Sequence, residues 1–166
     1  MSSLEKVKKI YIIGPVGSGK STLGKRLSQK YNLCYYELDK IVHDDLNNVK
    51  RNVDEINKLF LDIINNDSWL IEDVGRKIFE DGKKYADIIY YIDLNKYKIY
   101  YRVVKRWVKQ KLRLEKFNYK PTIKGLIQMI CWAHQDIVNK DEVKKELIKY
   151  GDKVIFITSR DINKLL

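Results

Sequence analysis

The stretch Gly14-Pro15-Val16-Gly17-Ser18-Gly19-Lys20-Ser21 constrains this chain more than any other. It fills every fixed position of the pattern G-x-x-x-x-G-K-[ST]. A short apolar run, residues 10–13, comes immediately before it, and Leu23, Leu27 and Tyr31 follow at helical spacing. A strand, a glycine-rich turn and a helix in that order form a cradle for phosphate. Gly14, Gly17 and Gly19 permit turns that a Cβ would forbid, so successive backbone N–H groups converge on one phosphate. The helix that starts near Lys20 points its positive dipole end at the same place. Lys20 can set its ammonium on the β and γ phosphates of a nucleotide, Ser21 can offer a hydroxyl to Mg²⁺, and Thr22 supplies a further donor. A glycine-rich turn with no ligand is the plainer alternative, and the filled motif in its proper context argues against it.

The rest of the chain fits around such a loop. Apolar β-rich runs at 10–13, 33–38, 69–71, 88–92 and 154–157 alternate with helical patterns at 20–30, around Ile56–Ile64, and at 96–114, 123–137, 141–150 and 161–166. Near-continuous apolar strands separated by helices imply an α/β fold with a parallel sheet covered on both faces. At 166 residues and 45% hydrophobic composition, one domain over 1–166 with its own core is expected. The longest apolar runs have strand length, too short to span a bilayer. The first residues lack the apolar region of a signal peptide. Cys34 and Cys131 lie far apart and form no ligand spacing, which suggests buried or inert thiols in a reducing cytoplasm.

The chain carries 33 Lys+Arg against 22 Asp+Glu, a formal net charge of +11. Ten of those net charges fall between residues 95 and 125, where eleven basic residues meet a single acid, Glu115. Within that segment Arg102, Arg106, Lys109 and Arg113 follow a helical stripe. The stripe reads either as a solvated basic face or as a lid that brings arginines over a transferring phosphate; Arg102 and Arg106 lead there because only arginine grips phosphate in a planar fork. Interleaved tyrosines, with Trp107 and Phe117, also resemble a stacking platform for single-stranded nucleic acid, although packing as the buried side of a lid helix is the favoured explanation.

Carboxylates at strand ends are the remaining chemistry, since ligands of open α/β sheets bind outside the carboxyl ends of the strands. Asp39 can orient or deprotonate an acceptor hydroxyl, hold water on Mg²⁺, or cap a helix. Glu72 and Asp73 end the third strand. One of them is expected to serve the metal, and Asp73 is taken with Ser21 as the candidate pair. Arg76, just beyond, faces the acceptor side with Asp39, and Asp93 suits a helix N-cap.

These residues resemble the small P-loop kinases of the adenylate and shikimate kinase type, and more narrowly the bacterial DNA topology modulation, or FlaR-related, proteins. The resemblance rests on the loop, on Leu38-Asp39, on Trp69-Leu70-Ile71 before an acidic turn, on Ala86-Asp87-Ile88-Ile89 leading to Asp93, on Tyr101–Arg106, and on Thr158-Ser159-Arg160. It implies a three-layer α/β/α fold with strand order 2-3-1-4-5 and a basic helical lid carrying Arg102 and Arg106. It also implies ATP with Mg²⁺, and Ser159 and Arg160 near the adenine. Such relatives usually carry an Asp-Gly-Asn turn after the third strand, where this chain has Glu72-Asp73-Val74-Gly75-Arg76. Segment 117–122 departs from the expected lid tip as well. The expected function is transfer of the γ-phosphoryl group of Mg-ATP to a small acceptor, for instance a nucleotide or nucleoside. A nucleic-acid-associated NTPase using segment 95–125, or an ATP sensor with little turnover, are the alternatives.

Overall fold

The computed structural model describes residues 7–44, 49–115 and 121–165. Lys116, Phe117, Tyr119 and Lys120 of the basic segment lie outside them. In chain order the elements are β1 (Lys9–Ile13), α1 (Lys20–Tyr31), β2 (Tyr35–Glu37), α2 (Leu38–Val42), α3 (Val53–Ile64), β3 (Trp69–Asp73), a 3-10 turn (Lys77–Phe79), α4 (Glu80–Tyr85), β4 (Ile88–Ile92), α5 (Lys96–Lys111), α6 (Ile123–Val138), α7 (Lys140–Ile148), a second 3-10 turn (Gly151–Lys153), β5 (Val154–Ile157) and α8 (Ser159–Leu165). All sheet pairings are parallel and the strand order is β2-β3-β1-β4-β5, as the resemblance implied.

Burial on both faces explains the unbroken apolar runs. Side chains alternate across a strand, so β1 feeds two cores. Tyr11 and Ile13 join Trp69, Ile71, Ile89 and Tyr91 against α2, α3 and Leu147, while Ile10 and Ile12 join Leu70, Tyr90 and Ile92 against Leu23 and Leu27 of α1, Val103 of α5 and Ala133 of α6. The two faces are therefore read from residue parity, a rule that matters again at the strand ends.

Five local expectations need correction. Strand β2 stops at Glu37, so Asp39 lies in the first turn of α2 rather than at a strand end or an N-cap. Helix α4 had no signal at six residues, too short for a 3.6-residue period; it holds Gly82, where a Cβ would meet the rings of Tyr11 and Phe60 at 2.8 and 2.9 Å. Helix α5 is capped by Asn95, whose side chain accepts from Tyr97 N, and Asp93 instead holds Lys140 and Lys144 of α7. The helix ends at Lys111 and Arg113 takes a left-handed φ of 58°, so the basic stripe loses its last member. Both cysteines are free and exposed, not buried. Among the described residues, no helix is long and apolar enough to cross a membrane.

Candidate functional site

Parallel register sets the acidic strand ends beside the start of the loop. Ile12 lies opposite Glu72, Ile13 opposite Asp73, and Glu37 opposite Glu72. Parity then sends the two acids of β3 apart. Glu72 shares the face of Leu70 and Ile12, which α1 covers, and its Oε1 accepts a 2.7 Å hydrogen bond from Ser21 Oγ. Its Oε2 is buried without a hydrogen-bond partner. Burial raises the Glu72 carboxyl pKa, while the Ser21 hydroxyl and the Lys20 ammonium pull it back.

Asp73 takes the other face. Its Oδ2 accepts from Gly75 N at 2.8 Å and Arg76 N at 2.6 Å, and its Oδ1 holds the Arg76 guanidinium. The pair expected to serve the metal, Ser21 with Asp73, is thus split, and Glu72 stands where Asp73 was placed. One hydroxyl and one buried carboxylate with a free oxygen form a hard-oxygen donor set. That suits Mg²⁺, which keeps most of its waters and needs only one or two protein groups beside nucleotide phosphates.

The loop itself is tightly determined. Gly17 and Gly19 adopt φ of 77° and 97°, and Gly19 is the N-cap residue of α1. A Cβ on Gly17 would also strike Val103 at 2.8 Å, so α5 packs directly on the loop. Lys20 Nζ folds back onto the carbonyls of Gly14 (2.8 Å) and Pro15 (3.0 Å). Desolvation lowers its pKa, and the carboxylates of Glu72, Asp39, Asp73 and Asp136 work in the opposite direction. Ser18 is buried, with its hydroxyl unpartnered and its N–H given to Pro15 O at 3.1 Å. Ser21 and Thr22 are exposed on the first turn of α1.

Two side chains from outside the motif close on the loop. Arg102 Nη1 donates to Ser18 O at 2.6 Å, which brings the first arginine of the basic stripe to the phosphate cradle. Arg106 does not join it; it is exposed and paired with Glu115 at 3.7 Å. Part of the expected lid is core: Ile99 and Val103 of α5 are buried. The second visitor is Asp136 of α6, whose Oδ2 accepts from Val16 N at 2.8 Å. Sequence reasoning missed it. The available signal was its being the sole acid in the apolar helix α6.

On the acceptor side the expected partners meet: Arg76 Nη2 donates to Asp39, while its Nη1 holds Asp73. A cavity of about 200 Å³ opens beside Arg76, lined also by Gly14 and Pro15 of the loop and by Asp136 and Asn139. Arg51, the nearby arginine after α2, is consumed by the carbonyls of Lys40, Ile41 and His43. Ser159 and Arg160 open α8 at the carboxyl end of β5, and Lys98 of α5 approaches Ser159 Oγ at 3.4 Å. His134 is engaged with the Tyr100 hydroxyl at 2.8 Å and tethers α6 to α5.

Comparison with known proteins agrees with this geometry. The sequence model of the shikimate kinase family matches residues 16–79. Shikimate kinase from Legionella pneumophila (strain Corby) is 40% identical over 42 residues, 25% of this chain and 24% of that protein. The chain thus matches about a quarter of the length of such curated relatives. Among solved structures, shikimate kinase from Acinetobacter baumannii in complex with shikimate superimposes with a TM-score of 0.62 at 12% identity, covering 98% of this chain and 90% of that one. A gluconokinase from Sinorhizobium meliloti gives 0.56 at 10% identity over 95% and 86%. These likenesses show the fold, that of small P-loop kinases.

Proposed function

We propose that the protein is an ATP-dependent phosphotransferase acting on a small hydroxylated acceptor. One observation carries the reading: Glu72, through Ser21, and the guanidinium of Arg102, on Ser18 O, both meet the same loop, Gly14–Ser21. Such a loop needs a metal-side oxygen set and a mobile cation to stabilise charge on a transferring phosphoryl group, and little else.

In this reading the backbone N–H groups of the loop bind the nucleotide phosphates, and Lys20 leaves the Gly14 and Pro15 carbonyls to meet them. Thr22 adds a donor, and Ser159 and Arg160 border the base. Ser21 would hold Mg²⁺, with Glu72 orienting the Ser21 hydroxyl, and the chemistry supplied there would be neutralisation of phosphate charge. Asp39, held by Arg76, orients the acceptor hydroxyl and receives its proton as the acceptor oxygen–phosphorus bond forms. The bond from phosphorus to the β–γ bridging oxygen breaks, and ADP leaves with the electron pair. Arg102 steadies the equatorial oxygens. Arg106 would require a rotation of the end of α5 to take part. The named relatives phosphorylate small hydroxylated acids rather than nucleotides, so a nucleotide acceptor is the weaker reading. Mixing the chain with ATP, Mg²⁺ and a panel of small hydroxylated acceptors should release ADP in an acceptor-dependent way. Turnover that survives Lys20→Ala would refute the mechanism.

A nucleic-acid-associated role, as in the DNA topology modulation proteins, is favoured by one observation. Tyr97 and Tyr101 are exposed on α5, with Lys96 and Lys105 over their rings at 5.2 and 5.5 Å. It requires binding to single-stranded DNA or RNA that weakens steeply with salt, and no binding at low salt would exclude it.

A further inference from the structure

Helix α5 carries apolar side chains on two opposite sides. Inward, Ile99 and Val103 are buried, and a Cβ on Gly17 of the loop would strike Val103. Outward, Tyr97, Tyr101, Val104 and Val108 of the helix and its C-cap residue Leu112 recur at spacings of four, three, four and four, which aligns them in one stripe. All five are between 40% and 70% exposed. One stripe is enough to seat a helix on its own core, so this second one is surplus to the fold.

Helix α6 lies alongside, joined to α5 by the Tyr100 hydroxyl on His134 and by Trp107 Nε1, which donates to Thr122 O at 3.0 Å. Ten of its sixteen residues are hydrophobic, yet Ala133 alone is buried. Ile123, Ile127, Cys131 and Val138 are exposed at spacings of four, four and seven, a second outward stripe. Exposed apolar surface of this extent marks an interaction site.

The charge around these stripes has one sign. Helix α5 holds seven basic residues and no acid, and among the described residues the carboxylate paired with them is that of Glu115, on Arg106. Lys98, Lys105 and Lys109 run along one edge of the α5 stripe. Lys96 and Lys105 hold their ammonium groups over the rings of Tyr97 and Tyr101. Helix α6 adds Lys124, and its one acid, Asp136, is half-buried on Val16 N. An occupant must therefore be apolar at its centre and anionic around it.

We infer that α5 and α6 dock on the surface of an anionic bilayer, their stripe residues entering the boundary between headgroups and acyl chains while the lysines meet lipid phosphates. Lysine stems lie along apolar surface and keep their ammonium groups at headgroup level. The contact is made by the sides of two helices and spans nothing, and no described helix is long and apolar enough to cross a membrane. Single-stranded nucleic acid fits the face less well, because Val104, Val108 and Leu112 offer no ring for a base to stack on. A second copy of the chain would set seven cations of α5 against seven more. The inference goes beyond the phosphotransferase reading and does not rest on it. The docking side of α5 is turned away from the loop, so Val103 and Arg102 keep their places there.

The test is co-sedimentation of the full chain with vesicles of phosphatidylcholine alone or mixed with phosphatidylglycerol. Binding to the mixed vesicles that weakens with salt, and little binding to phosphatidylcholine, is expected. Lys105→Gln with Lys109→Gln should weaken partitioning by about thirtyfold. Val104→Asp with Val108→Asp should weaken it by about tenfold or more, with Tm held near that of the parent because both positions are exposed. A polarity-sensitive dye gives a reading that needs no change to the stripes of α5. On Cys131 in Cys34→Ser it should shift to the blue with mixed vesicles, whereas on Cys34 in Cys131→Ser, beside the sheet edge at β2, it should not. Absence of binding to mixed vesicles at low salt overturns the inference, as does an equal response of the two dyes. Loss of binding in the lysine variant with none in the folded valine variant overturns it too, since the attraction would then be charge alone. A wild-type dimer that the valine variant dissociates would give the face to a second copy, and single-stranded DNA bound in place of vesicles would give it to nucleic acid; either result refutes the bilayer.

Discussion

Ser21 Oγ donates a 2.7 Å hydrogen bond to Glu72 Oε1 across a sequence separation of 51 residues. The bond joins the first turn of α1 to the end of β3 and leaves the second Glu72 oxygen buried and unpartnered. Glu72→Gln should therefore weaken the apparent Mg²⁺ requirement's affinity by about 10–100-fold, the usual cost of losing a group that orients a metal ligand. Asp73→Asn should act instead through the fold of the 74–76 turn. Turnover titrated with Mg²⁺ at saturating ATP separates them: equal shifts for both variants would contradict the assignment of Glu72.

Lys20→Ala should abolish the ATP-dependent rise in Tm along with turnover. Lys20 is held by two loop carbonyls and surrounded by carboxylates, so its substitution removes an ammonium from the cradle. Stabilisation by a ligand at a hundred times its Kd is about 2.7 kcal/mol, and thermal unfolding with and without ATP reads its loss directly.

Arg102 and Arg106 are expected to differ. Arg102→Ala should lower kcat by about 10³-fold if its guanidinium meets the transferring group, and Arg102→Lys should recover little because an ammonium lacks the planar fork. Arg106→Ala, at an exposed residue paired with Glu115, should cost less than about tenfold. Single-turnover rates for the three variants decide between them.

Gly24→Ala should destabilise the protein although alanine is the better helix former. A Cβ at Gly24 of α1 would lie 2.5 Å from the ring of Tyr35 on β2, which overpacks the interface by about 1–3 kcal/mol and outweighs the ~1 kcal/mol gained in helix propensity. Tyr35→Leu in the same chain should restore part of the loss. Urea unfolding of the single and double variants measures both.

Glu80 ties α4 to Lys149 and Tyr150, just past the end of α7. Desolvation works against its charge, but hydrogen bonds from Lys149, Tyr150 and Lys83 prevail and bring its carboxyl pKa down to about 2. A carboxyl held below its ordinary value stabilises the fold above that value and ceases to as it protonates. This contribution should be complete at neutral pH and disappear between about pH 4.5 and pH 2. Glu80→Gln should cost about 1 kcal/mol at pH 7, a figure already reduced for solvent screening, and should flatten that acid limb. Denaturant midpoints across the pH range give the comparison.

The local grammar of the chain was enough for its architecture. The eight residues from Gly14 to Ser21 demand a strand before and a helix after, and unbroken runs such as Ile-Ile-Tyr-Tyr-Ile in β4 are affordable only in a sheet covered on both faces. Those are short-range facts, fixed by backbone sterics and by the period of side-chain burial, and they also made the loop's ligand class legible. The acceptor side was not legible in the same way. Whether Glu72 or Asp73 meets Ser21 depends on which face of β3 is covered by α1, and two adjacent residues of a strand point to opposite faces whatever their sequence neighbours are. Likewise Asp136, 120 residues from Val16, reaches the loop only because α6 packs on α5 and β1. Sequence fixes which groups are available; the packing of helices on a twisted parallel sheet decides which of them meet, because that choice is made by shape and burial between elements far apart in the chain.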